Sequence, residues 1–117
     1  MGYYSDVGLV LTKEQSVQLK GGILLENNAG MIDKFLNTAR HYKHTNDELY
    51  IWNSIKWYDY PGVKYIENFI QKLILNDKQK EYFFVRVGED LDDNEESGEY
   101  FDNSFDLHIN REVNFTK

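Results

Sequence analysis

Glu48-Leu49-Tyr50-Ile51-Trp52-Asn53-Ser54-Ile55-Lys56-Trp57-Tyr58 sets β-branched and aromatic residues at a period of two, the pattern of a strand rather than a helix. The odd positions Leu49, Ile51, Ile55 and Trp57 are expected to face the core, with Asn53 out of place and marking a bulge. The even positions hold Tyr50, Trp52 and Tyr58, which are not ordinary solvent-facing residues.

Downstream, Pro61 suits the first position of a helix, where its missing N–H costs nothing. Val63, Ile66, Ile70, Leu73 and Ile74 then form one apolar stripe that ends near Asn76. After a polar turn, Glu81–Val87 reads as a strand closed by Gly88, with Phe83, Val85 and Val87 toward the core and Tyr82, Phe84 and Arg86 outward. Phe105–Phe115 is expected to be the last strand; Phe105, Leu107, Ile109, Val113 and Phe115 share a face there, Arg111 being the exception.

Upstream, Asp6–Thr12 alternates, with Val7, Leu9 and Leu11 on one face and Gly8 and Val10 on the other. Thr12-Lys-Glu-Gln15 has capping-box spacing, so a short helix should start there and break at Gly21-Gly22. Asn27-Asn28 offers a new N-cap for a helix from about Ala29 to Ala39, and Arg40–Asp47 reads as a short edge strand or loop. This order predicts an α+β two-layer sandwich: a mostly antiparallel sheet of four to five strands, with helices on one face, forming a single domain over residues 1–117.

A net charge of −7 is concentrated in one place. Nine of the 20 acids (Glu89, Asp90, Asp92, Asp93, Glu95, Glu96, Glu99, Asp102 and Asp106) fall in 18 residues that lack Lys and Arg. Such a segment repels nucleic acid and attracts a basic partner, and no basic patch of similar density argues for DNA or RNA binding. The plainer reading is a solvated acidic loop.

The absence of cysteine excludes a disulfide framework, a thiol nucleophile and Cys-ligated metal. No window is apolar enough to span a membrane and no secretory signal is expected. The sequence has no G-x-S-x-G elbow, P-loop or G-x-G-x-x-G turn, so an enzyme is not expected and no cofactor is implied. His41 and His44, with Asp47 and Glu48 behind them, have the i, i+3 spacing that lets two imidazoles on a helix or turn share a metal; a solvated connector is the commoner outcome. His108 is expected on the exposed side of the last strand. Asp90-Leu-Asp92-Asp-Asn94 opens like a calcium loop, but Glu95 replaces the required Gly and Phe101 the required Glu.

With the helices on one face, the other would present Tyr50, Trp52, Tyr82, Phe84 and Arg86 together as an interface. An aromatic patch of this kind predicts a homodimer through the sheet. The alternatives are a monomer whose sheet face docks the host target directly, a monomer that covers both faces, or a one-residue register error that exchanges them.

Gly2-Tyr-Tyr-Ser-Asp-Val7, Ile55-Lys-Trp-Tyr58 followed by Pro61 and Ile66-Glu67, and Phe84-Val-Arg-Val-Gly-Glu-Asp90 together resemble small tailed-bacteriophage proteins. That resemblance spans most of the chain and carries no catalytic signature. It implies an accessory protein that acts in the host bacterial cytoplasm by binding and inhibiting a host protein, such as a CRISPR or other defence effector. Glu89, Asp90, Asp92, Asp93, Glu95 and Glu96 are the expected partner-binding residues. The alternatives are a virion or replication assembly protein without inhibitory role, and a small-molecule binder or small enzyme.

Overall fold

The computed structural model describes residues 3–58, 60–90, 92–109 and 112–116. Strand β1 (Ser5–Thr12) is the middle of a five-stranded sheet, between β3 (Asp47–Ile55) and β4 (Tyr82–Gly88). β2 (Arg40–His44) lies outside β3, and β5 (Asn94–Gly98) lies outside β4. All the pairings are antiparallel. Leu9 stands between Tyr50 and Phe84, while Val10 stands between Leu49 and Phe83. Each face of the sheet therefore carries an apolar row, and each row needs a cover.

Helices α1 (Lys13–Ile23), α2 (Ala29–Asn37) and α3 (Pro61–Leu75) supply the first cover. Their buried Leu19, Ile23, Ile32, Leu36, Ile66, Ile70 and Leu73 pack with Val7, Leu9, Leu11, Tyr50, Trp52, Tyr82 and Phe84. The C-terminal stretch supplies the second: Phe105 and Leu107, with Tyr100, Ile109, Val113 and Phe115 at the margin, cover Val10, Leu49, Ile51, Phe83 and Val85. That stretch also forms the small sheet of β6 (His108–Ile109) and β7 (Val113–Asn114). Gly8 permits its approach, since a Cβ there would sit 2.9 Å from Leu107 and 3.2 Å from Val113.

The aromatic row is thus buried rather than exposed, which corrects the sequence reading. Tyr50 is 1%, Trp52 2%, Tyr82 0% and Phe84 5% exposed. Both faces are covered within one chain, and the sheet-face dimer loses the surface that motivated it. The helices pack on the row that holds Tyr50, Trp52, Tyr82 and Phe84, and β3 changes parity near its end. Ser5 pairs with Ile55 and Val7 with Trp52, so Asn53 and Ser54 together oppose Asp6. Ser54 takes a left-handed φ of 52° there and donates its N–H to the Asp6 carboxylate at 2.8 Å. Across this bulge the even residues Tyr50 and Trp52 and the odd residues Ile55 and Trp57 join the same core.

Three further expectations change. α1 runs through Gly21-Gly22 to Ile23, because the missing Cβ of Gly22 admits α3: an added carbon would lie 2.6 Å from the Tyr65 hydroxyl. Thr12 does cap α1, accepting the Gln15 N–H at 3.3 Å, but the Gln15 side chain donates to Glu81 instead of turning back. The expected Phe105–Phe115 strand is replaced by β6 and β7, and Arg111 lies outside the described residues.

Candidate functional site

The acidic segment is built on a hairpin. β5 pairs with β4 from Val87↔Asn94 to Phe83↔Gly98, so half of what read as an 18-residue loop is ladder and tight turn. Gly98 ends the ladder at a φ of 94°, with the Tyr82 carbonyl only 2.3 Å from where a Cβ would be.

Arg86 organises the turn. Its guanidinium donates to Asp93 at 2.6 and 3.2 Å, to Glu95 at 2.5 Å and to the Ser5 hydroxyl at 3.0 Å. This fork uses the bidentate geometry that makes Arg–carboxylate pairs strong. The contact with Arg86, then that with Tyr3, holds the Asp93 carboxyl below its ordinary range. The same Asp93 contact raises Arg86, so this side chain stays charged. With only 12% of its side chain exposed, Arg86 is not available as the interface residue expected from sequence.

The N-terminal residues close the turn from the other side. The Tyr3 hydroxyl donates to Asp93 at 2.6 Å and accepts the Asp90 N–H at 3.0 Å. The Tyr4 N–H donates to Glu89 at 2.9 Å, and the Tyr3 N–H donates to the Tyr58 hydroxyl at 2.6 Å.

The six predicted acids therefore divide. Glu89, Asp93 and Glu95 are engaged inside the chain. Asp90, Asp92 and Glu96 are exposed, and no hydrogen bond or ion pair among the described residues holds their carboxylates. Glu99 is exposed beside them, its N–H donated to the Gln79 carbonyl at 2.7 Å. The hairpin thus presents free carboxylates on a braced frame.

A second cluster escaped the sequence reading. One Glu48 oxygen accepts from Ser16 at 2.8 Å and from His41 at 2.6 Å, with Lys20 at 3.5 Å. Ser16 also bonds Tyr50, and the His41 ring stacks on Tyr50 at 4.4 Å. Burial works to raise the Glu48 pKa, but the bonds from Ser16 and His41 overcome it and the net direction is down. Burial lowers His41 despite the carboxylate, and it pushes Tyr50 up to about 12. Ser16 is fully buried and bonded to the carboxylate rather than to the imidazole, so His41 does not activate it as in a Ser-His-Asp relay. The cluster ties β2 and α1 to β3.

His41 and His44 lie on a strand, where a separation of three sends them to opposite faces. His41 meets Glu48 and Tyr50, while the His44 ring meets Phe105 at 6.2 Å. They do not converge on one metal. No group of three His, Asp or Glu side chains among the described residues is placed to hold an ion.

A surface depression of about 610 Å³ is lined by Thr12, Lys13, Val17, Asn46 and Tyr100 among others, and none of the six acids borders it. No helix among the described residues is long and apolar enough to cross a membrane. These features define an α+β domain with an acidic, internally braced hairpin. No protein family model, curated protein or solved structure matches the chain.

Proposed function

We propose that this chain is a non-catalytic binding protein of the phage accessory type, which inhibits a host protein in the bacterial cytoplasm by engaging a basic surface. The favoured target is a defence effector with a nucleic-acid channel. The observation that supports this reading is the braced hairpin: Arg86 and Tyr3 consume Asp93 and Glu95, while Asp90, Asp92, Glu96 and Glu99 remain exposed. A frame held before binding loses less conformational freedom on association than a mobile acidic loop does. Clustered like charge also accelerates encounter with a basic partner and makes it salt-dependent.

The test is a plaque assay on hosts with and without a CRISPR system, expressing either the wild type or the Asp90→Asn, Asp92→Asn, Glu96→Gln, Glu99→Gln variant. The wild type should raise plating only on the immune host, and the neutralised protein should lose that effect at equal expression. Full protection by the neutralised protein would overturn the acidic-surface mechanism. A wild type that leaves plating on the immune host unchanged would overturn inhibition of that defence.

A further inference from the structure

The helical layer leaves leucines in water beside a groove. Leu24 and Leu25, in the turn that ends α1, are 83% and 87% exposed, and Leu75 at the end of α3 is 76% exposed. Between α1 and α3 runs a groove of about 510 Å³, bordered by Gly22, Leu25, Glu26, Phe69, Lys72 and Leu75. The turn is held in place: the Leu25 and Glu26 N–H groups donate to the Gly22 and Ile23 carbonyls at 3.2 and 3.0 Å. The Tyr65 hydroxyl fastens α3 to α1 by donating to the Leu19 carbonyl at 2.5 Å. Ridge and groove therefore keep a fixed relation.

We propose that this face binds a second copy of the chain, as a twofold dimer in which the Leu24-Leu25 ridge of each subunit enters the groove of the other. A projection and a recess on one surface satisfy each other reciprocally only under a twofold axis. The charges fit the same operation. Glu26 and Lys72 both border the groove, and neither forms an ion pair among the described residues. The twofold sets Glu26 of one subunit against Lys72 of the other, twice. A foreign partner would have to bring both complements, whereas this chain already carries them.

Sedimentation equilibrium of the full chain, from about 1 to 200 μM, tests the proposal over the affinity range of such interfaces. The wild type should be dimeric at the upper concentrations. Leu25→Glu should be monomeric throughout and should melt with the wild type at the lowest concentration, where both are monomers, since the residue it replaces lies in water in the monomer. Glu26→Lys and Lys72→Glu should each weaken the dimer about tenfold, and the double exchange should restore it. A wild type that stays monomeric at the highest concentration overturns the assignment. So does a dimer that survives Leu25→Glu, and single exchanges without effect overturn the twofold register.

Discussion

Asp47 and Glu48 are neighbours in β3, yet their carboxylates lie on opposite faces of the sheet and fasten different layers to it. Asp47 accepts from the Tyr100 hydroxyl and from the N–H and hydroxyl of Ser104, which anchors the C-terminal cover. Glu48 accepts from Ser16 of α1 and His41 of β2. Both residues are buried, so each carboxylate depends on its partners in place of water.

Asp47→Ala should therefore loosen the second face rather than the helical one. Removing a buried acceptor of charge-assisted bonds costs about 2–3 kcal/mol. The expected result is a lowered urea midpoint and increased binding of a hydrophobic dye, as Phe105 and Leu107 lift from the sheet. A loss below about 0.5 kcal/mol, the ordinary range of surface changes, contradicts the anchoring role.

Acid should weaken the protein through the Glu48 cluster in two windows. Glu48 is depressed in the fold, so its contribution is present above its unfolded value of 4.5 and is lost as pH falls through the folded value. His41 is also depressed, below 6.5, so the unfolded chain takes up its proton first and stability falls as pH drops below 6.5. His41→Gln should flatten the upper window and shrink, without abolishing, the lower one, because Ser16 still donates to Glu48. Urea midpoints measured across pH 7 to 3 check this, and parallel curves for the two proteins contradict it.

The adjacent glycines of α1 should respond with opposite sign to alanine. Nothing lies within 4 Å of a Cβ at Gly21. Its replacement should stabilise by about 0.5–1 kcal/mol, the helix-propensity gain. At Gly22 the new carbon meets the Tyr65 hydroxyl at 2.6 Å and threatens its bond to Leu19. A net loss of about 1–3 kcal/mol is expected from that overpacking. Thermal melts of both variants decide the matter, and two equal shifts would remove the close-approach argument.

Arg86→Gln should release the acidic turn without unfolding the sheet. Its loss leaves Asp93 and Glu95 without their cation, and only Tyr3 still holds Asp93. A protease that cuts after glutamate should then cleave at Glu89 or Glu95 faster than in the wild type. Tyr3→Phe should fall between the two proteins. Equal cleavage of all three would show that the clasp does not hold the turn.

Much of the fold was legible locally. The strands around Leu9, Ile51 and Val85, the N-cap at Thr12, the Pro61 start of α3 and the bulge at Asn53 all stand where residue type and spacing placed them. The acids of the candidate site were equally visible, since charge density needs no fold to be read. Their division into braced and free carboxylates was not visible, because Arg86 and Tyr3 reach them from β4 and from a segment some 90 residues away.

Residue pattern alone shows that β1, β3 and β4 carry apolar side chains on both faces, and that helices alternate with them. Periodicity records such preferences because they act within a few residues. Which face meets the helices and which meets Phe105 and Leu107 is set by long-range packing. That choice follows from the helices packing on the Leu9 row and a C-terminal segment arriving over Gly8. The same holds for Gly22, where the contact with Tyr65 outweighs a poor helix propensity. Packing between distant segments sets these outcomes, and no local pattern encodes the identity of the distant partner.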